Sequence, residues 1–417
     1  MATLLQRFFE QFIRDGGLEV CTASGRRYTI GNVNGPAPAI RFGDRAAELR
    51  LLANPALALG ELYMDGRLLV TRGSIYDVVA LATRNLALQP PVRLLRMRER
   101  LRVALRRVHQ RNGERRARRN VAHHYDIDGR LYDFFLDPDR QYSCAYFETP
   151  DQSLEEAQLA KKRHIVAKLL VEPGHRVLDI GSGWGGLALY LAEQCGAAVT
   201  GITLSDEQLA IARSRAQHRR LAESVEFDLR DYRSVGGRFD RIVSVGMFEH
   251  VGVGYYDAFF SKVSDLLTDS GVMLLHAIGS SDGPGATNPW MAKYIFPGDY
   301  TPALSEVLPA IERAGLIVTD IEIFRLHYAE TLQAWRERFL ARRGEAKMLY
   351  DERFCRMWEF YLAGCEAAFR HGGLMVFQIQ LAKRHDAVPL TRDYIAQREA
   401  LLRMQETRKP DLMIAAE

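Results

Sequence analysis

The sequence predicts an α/β protein: a mainly parallel, doubly wound sheet preceded by a small N-terminal α+β domain. Two patterns carry this prediction. From residue 176 short apolar runs alternate with amphipathic helical stretches, which is how a parallel sheet covered on both faces reads. Ahead of residue 93, strand-like runs punctuated by Gly and Pro lie between helical segments, the mixture expected of a separate α+β unit. The chain of 417 residues is 47% hydrophobic and 26% charged, an ordinary globular composition with room for two or three domains.

In chain order, the first element is LLQRFFEQFI. Leu4, Leu5, Phe8, Phe9, Phe12 and Ile13 share one helical face, suited first to core packing and second to membrane contact. Strand-like runs fill residues 28–70, and SIYDVVALATRNLAL returns to helical periodicity, so 1–92 is expected to form one small domain. Between Arg93 and Asn120, twelve arginines face only Glu99 and Glu114, a surplus of ten positive charges in a chain whose net charge is +4. Leu94, Leu95, Met97, Leu101, Leu105 and Val108 recur there at near-helical spacing, so 93–120 reads as a basic amphipathic connector helix. Few aromatics interleave with the arginines, which favours an anionic membrane surface over nucleic acid; a solvated interdomain helix is the plain alternative.

The sheet then unfolds as RVLDI, a helix through Leu191, AAVTGI, a helix from Asp206 to Gln217, VEFD, RIVSVG, a helix around YYDAFFSKVSDLL, and VMLLHAIG. Ligands of such sheets bind at the carboxyl ends of the strands. After the first strand comes GSGWGG, where Gly181, Gly183 and Gly186 satisfy G-x-G-x-x-G and Gly185 adds more bare backbone. That turn alone admits a nicotinamide, a flavin or S-adenosylmethionine. The acid a nicotinamide enzyme needs about 20 residues on is missing, and Thr203 and Gln208 offer neutral hydrogen bonds instead.

The five cysteines show no C-x-x-C spacing and are odd in number, which argues against a zinc site and against a disulfide framework, and for a reducing cytoplasm. No apolar run reaches membrane-spanning length, and Arg7 and Glu10 interrupt the first segment too early for a signal peptide. Taken singly, His276 is a core histidine, Glu249 and His250 begin a helix, and Cys144 and Cys365 are small buried apolar residues.

Taken together, HHYDIDGRLYDFFLD, QYSCAYF, VLDIGSGWGG, GITLSDEQ, RIVSVGMFEHVG, LLHAIGS, KYIFPG and YLAGCEAAFR follow the order seen in cyclopropane-fatty-acyl-phospholipid synthases, from residue 121 to about 384. GELYMDGRLLV resembles the small lipid-associated domain of the full-length bacterial members. One departure is Ser182, where the family usually has Cys; in a backbone-lined turn this is expected to matter little. The resemblance implies a Rossmann-like class I methyltransferase over 121–384 and a tail over 385–417. It places S-adenosylmethionine on Tyr142, Ser143, Gly181, Gly183, Gly185, Thr203 and Gln208. A pocket for bicarbonate falls on Cys144, Glu249, His276, Ile278 and Tyr328, with Cys365 matching a cysteine once taken for a nucleophile. Tyr146, Phe147 and Phe248 are aromatic faces available to a cationic intermediate.

The implied reaction adds a methylene group to the cis double bond of an unsaturated phospholipid acyl chain, by a homodimer bound peripherally to the inner face of the membrane. A lipid methyltransferase that leaves a methyl branch is the near alternative. A nucleic-acid methyltransferase is the distant one, suggested by Asn288, Pro289 and Trp290 but discounted because that motif belongs after the fourth strand, where GMFEHVG stands.

Changing Arg106, Arg107, Arg115 and Arg116 together to Gln is expected to weaken binding to anionic vesicles, each arginine contributing on the order of 1 kcal/mol at low salt. Vesicle sedimentation across a salt series checks this; unchanged, salt-insensitive binding leaves the stretch a solvated connector.

Overall fold

The computed structural model describes residues 3–32, 37–88, 102–103, 110 and 129–408. The basic connector, with Arg106, Arg107, Arg115 and Arg116, and the start of HHYDIDG lie outside the described residues, apart from 102–103 and 110. The chain divides into two compact units, Met1–Arg106 with Gly285–Pro297 and Tyr328–Leu374, and Arg107–Pro284 with Gly298–His327 and Met375–Glu417. This partition crosses the expected boundary at 121, since two later pieces of chain complete the N-terminal unit. The reason is apolar packing: Ala363 and Ala367 share a buried cluster with Leu62, Val78 and Leu81, and Trp290 lies edge-on to Phe360.

In the first unit, β1 (Gly17–Cys21), β2 (Arg27–Gly31), β3 (Ala39–Phe42) and β4 (Leu68–Arg72) form a sheet in the order β2-β1-β3-β4. β1 runs antiparallel to β2 and parallel to β3, the mixed pairing of an α+β unit. The first helix, Leu4–Phe12, is capped by Thr3 and buries Leu5 and Phe9. Only part of its expected apolar face is covered, for Leu4 is exposed and Phe8 stacks on Phe12.

The second unit holds β5 (Arg176–Ile180), β6 (Ala198–Thr203), β7 (Val225–Leu229), β8 (Phe239–Val245), β9 (Leu267–Ser280), β10 (Ile317–Phe324) and β11 (Leu374–Ala382), ordered β10-β11-β9-β8-β5-β6-β7. β5 pairs in parallel with β6 on one side and β8 on the other, so the chain winds outward through β7 and returns beside β5. That reversal is a topological switch point, where the diverging connections leave a crevice at the strand ends. The Rossmann-like class I architecture follows from it. β10 and β11 pair antiparallel.

Beyond residue 384 the chain forms a helix, Asp393–Arg408, on this unit. Polar contacts hold it: Glu406 accepts from Arg163 at 2.7 Å and from the Tyr190 hydroxyl at 2.5 Å, and Glu399 bonds His164 Nδ1 at 2.6 Å. Arg163 and Glu406 are both nearly closed to solvent, so removing one partner leaves a buried charge poorly compensated. Glu406→Ala is therefore expected to lower stability by about 3 kcal/mol, read as a lower Tm and an earlier denaturant midpoint; an unchanged Tm makes the helix an ornament.

Candidate active site

The crevice at the switch point is floored by the turn between β5 and the helix Gly186–Cys195. The amides of Gly181 and Ser182 both donate to Ile202 O at 2.9 Å, tying the turn to β6. Gly181, Gly183 and Gly185 have φ of +87°, +54° and +84°, the left-handed region that glycine enters without a Cβ penalty. A Cβ on Gly181 would meet Met247, whereas one on Gly183 would meet nothing within 4 Å. Gly183 thus keeps the cavity open. Gly185, expected among the cofactor residues, does not line the cavity: its absent Cβ would sit 2.6 Å from the Phe227 ring, so it serves packing beneath the turn, and Gly186 takes the cavity position.

Tyr142, Ser143, Gly181, Gly183, Thr203 and Gln208 all line one cavity. The 141–143 loop is fixed by the helix Leu154–Leu169, which starts in a capping box between Ser153 and Glu156. Gln158 Nε2 donates to Ser143 O at 3.0 Å, and the ammonium of Lys161 donates to Gln141 Oε1 at 2.7 Å and Ser143 Oγ at 2.8 Å. Lys161 is 1% exposed; burial lowers its pKa to about 8, against the pull of nearby Asp137. Asp179, at the end of β5, is also buried and lines the cavity, and its Oδ2 has no partner among the described residues. Burial raises its pKa to about 7, with Lys161 opposing. On the far wall Thr203 Oγ1 donates to Gln208 Oε1 at 3.0 Å, and Asp231 accepts the Arg233 amide at 2.9 Å.

Sequence reasoning passed over Lys161, Asp179, Asp231 and Arg233. Asp231 and Arg233 follow β7, at the carboxyl end of a strand, which is the signal that could have found them. Lys161 gave no signal, since a lysine in an amphipathic helix ordinarily faces water. His250, read as structural, lines the cavity.

Beside this cavity lies a drier cluster. Glu249 follows β8 in a short 3-10 turn and is buried, with Oε1 accepting the Ile278 amide at 2.6 Å and Oε2 unpartnered among the described residues. Burial, and then the neighbouring Asp299 carboxylate, raise its pKa to about 7. His276 and half-buried Ile278 project to the same side of β9, two residues apart. His276 is held well below the ordinary histidine pKa by burial and by Lys161, Lys168 and His164, so its ring is neutral. Cys144 is buried, its thiol directed to Ala145 O at 3.3 Å. Tyr328 and Cys365 belong to the first unit, Tyr328 buried against Trp335 and Phe369 and Cys365 half-buried on the helix Glu352–His371.

One aromatic expectation changes. Phe248 stacks on Tyr256 at 4.5 Å inside the apolar core, Tyr146 stacks on His164 at 4.3 Å and on His327 at 5.1 Å, and Phe147 packs against His327. The Phe248 ring is thereby committed to the core. Asn288 caps the short helix Pro289–Tyr294 by accepting the Trp290 amide at 2.9 Å, the work of a helix start in the first unit.

Comparison with known proteins decides what this crevice serves. The profile of the mycolic acid cyclopropane synthetase family matches residues 112–379. The chain belongs to that family. It is 40% identical over 352 residues, 84% of its length, to the cyclopropane-fatty-acyl-phospholipid synthase of Escherichia coli K12, covering 90% of that protein. The tuberculostearic acid methyltransferase of Mycobacterium tuberculosis is 41% identical over 281 residues, 64% of this chain and 65% of that one. Among solved structures, a mycolic acid cyclopropane synthase complexed with SAH and CTAB superposes with a TM-score of 0.60 at 35% identity, over 63% of this chain and 97% of that chain. As a member of the family, the protein is an S-adenosylmethionine-dependent methyltransferase. Its cavity fits that cofactor. The unpartnered Asp179 oxygen suits a cationic ligand, Gly183 leaves bare backbone for close approach, and Thr203 and Gln208 supply neutral hydrogen bonds.

Gly183→Val forces a β-branched residue into left-handed backbone and fills the open side of the turn. Calorimetric titration is expected to show S-adenosylmethionine binding lost while circular dichroism stays native; binding near the wild-type affinity removes Gly183 from the site.

Proposed function

We propose that the enzyme transfers a methylene group from S-adenosylmethionine to the cis double bond of an unsaturated acyl chain in a membrane phospholipid, closing a cyclopropane ring. The observation that supports this most is the 352-residue similarity to the E. coli synthase, too long to fit after Arg106 and therefore reaching into the N-terminal unit. Among the described residues no helix is long and apolar enough to cross a membrane. The enzyme works as a homodimer at the inner membrane face, with the arginine run on anionic lipid.

When bound, S-adenosylmethionine supplies an electrophilic methyl group. An alkene needs no base before it attacks, so the protein's tasks come afterwards. One proton must leave the added methyl, and water must stay away from the positive charge on the acyl chain. A dry carboxyl and a neutral imidazole suit the holding of a small ion better than the direct abstraction of a proton deep in a lipid chain. Glu249 and His276 would hold bicarbonate, with Ile278 and the backbone near Cys144 as its wall, and the ion would supply the base. The unpartnered Glu249 Oε2 is the observation that favours an additional polar group there. Tyr328 and Cys365 enter this reading by resemblance alone, and the chemistry requires no covalent step at Cys365. Similarity to a tuberculostearic acid methyltransferase keeps the methyl-branched product as a second reading. Mass spectrometry of lipids from expressing cells separates the two, because a saturated methyl branch is two hydrogens heavier than the ring.

Glu249→Gln retains the acceptor for the Ile278 amide but loses the carboxylate. Turnover is expected to fall roughly 30- to 1000-fold, about 2 to 4 kcal/mol, with cofactor affinity nearly intact; wild-type turnover in bicarbonate-free buffer makes Glu249 structural. The same variant has a stability consequence of opposite sign. A carboxyl raised from 4.5 to about 7 on folding is neutral in both states at low pH, and its charging costs the native state stability as pH climbs from 4.5 through 7. Glu249→Gln is therefore expected to melt no lower than wild type at pH 5 and several degrees higher at pH 8, the gap widening between them. A gap that does not change with pH contradicts the raised carboxyl.

A further inference from the structure

β11 contributes a residue that none of the sequence blocks brought into the site. Gln378 is fully buried on this strand, which lies next to β9 in the sheet, and its side-chain amide reaches His276 across the strand boundary. Gln378 Nε2 lies 3.2 Å from His276 Nδ1. We infer that Gln378 is a positioning residue that fixes the tautomer of His276, donating to Nδ1 so that the ring proton sits on Nε2.

Three observations support the assignment. First, the ring is neutral, so it carries a single proton, and whichever nitrogen accepts from Gln378 forces that proton onto the other. Burial opposes a second proton on the ring most, Lys161, Lys168 and His164 act in the same direction, and Glu322 acts against them. Second, the direction of the amide follows from what lies behind it. Gln378 Oε1 is buried and has no hydrogen-bond partner among the described residues. Turned the other way, the amide would face that position with two N–H groups in place of one carbonyl, and buried N–H groups without acceptors are the costlier and rarer state. Third, the residue is not there to fill the core. Its strand neighbours Phe377 and Ile379 point into the apolar cluster, while Gln378 shares the opposite face of β11 with Gln380, whose Nε2 bonds the Tyr394 hydroxyl at 2.8 Å. A leucine would pack there without leaving a lone carbonyl buried, so the polar group answers to its partner.

The value of the tautomer rests on the proposal above that His276 faces an anion. An Nε2–H donates a hydrogen bond to an oxyanion, whereas an Nε2 lone pair would repel it. In the wrong tautomer the same imidazole, in the same place, would weaken the binding of the ion it is meant to hold.

The test begins with the wild-type enzyme, labelled with 15N at histidine and read by long-range 1H–15N NMR, with His276→Asn identifying the His276 signals. The expected result is a protonated Nε2 and an unprotonated Nδ1. A protonated Nδ1 overturns the inference, and this arm needs no variant of Gln378 to fold. Gln378→Met then keeps the length of the side chain and removes the donor. It is expected to show a mixture of His276 tautomers and a kcat lower by roughly 10- to 100-fold, the usual effect of removing the partner that orients a ligand histidine, with the KM for S-adenosylmethionine unchanged. A merely structural glutamine would shift the melting temperature without moving the tautomer. A Met variant with wild-type kcat and a single Nε2–H tautomer overturns the proposal. Bicarbonate dependence of the wild-type rate is measured alongside. If bicarbonate has no effect while the tautomer and the kcat loss are as expected, the ion is wrong and the positioning role of Gln378 stands.

Discussion

The buried ammonium of Lys161 is the interaction on which the site depends. With almost no solvent contact, it donates hydrogen bonds to the Gln141 and Ser143 side chains, and so converts an irregular loop into a fixed wall of the cofactor cavity. The same charge opposes the neutralisation of Asp179 and discourages a proton on His276. Burial is the larger influence on both groups, and one cation acts on each: it opposes the rise of a carboxyl on the cofactor side and adds to the lowering of an imidazole on the reaction side. A charge taken from water is tolerable only when its surroundings are rigid and polar in the right places, and this requirement explains why Gln141, Ser143 and Gln158 are all drawn into the interior.

The electrostatics of the cofactor cavity and of the buried cluster beside it differ in kind. Around the cofactor, carboxyl groups are set to receive a cation: Asp179 holds an oxygen without a partner, and Asp231 is steadied by the amide of Arg233. Around Glu249 and His276 the protein supplies a carboxyl of raised pKa and a neutral ring, which together hold little net charge. A buried, solvent-excluded cluster beside a cationic cofactor suits a reaction whose danger is capture of a positive intermediate by water. The nearby Asp299 adds to this by pushing the Glu249 proton upward.

How much of this was readable beforehand depended on whether a residue's role was local. The alternation of β5 to β9 with helices was visible because period-two and period-3.6 patterns are properties of short stretches, and GSGWGG announced its turn because three positive-φ positions need glycine. Gly185 shows the limit: it stands in the same turn, yet besides its positive φ it is held to glycine by Phe227, a residue of β7 that lies far along the chain. Lys161, Gln378 and the polar helix after residue 392 were illegible for the same cause, since each has partners far along the chain. Phe248 misled in the opposite direction. It stands beside Glu249 in the sequence, but the 3-10 turn sends the two side chains to different surroundings, one into the core and one toward β9.

The position of β11 has a consequence for the order in which the molecule can be made. Among the described residues it is the last strand in chain order, yet it is inserted between β9 and β10 rather than added at an edge. The glycine turn and the four parallel pairings around it are complete in the chain some hundred residues earlier, so a growing polypeptide acquires its cofactor floor while β9 still carries an unpaired edge. Until β11 arrives, His276 has no Gln378 beside it and β10 has no neighbour. Every residue that lines the cofactor cavity is thus synthesised before the strand that brings Gln378 to His276.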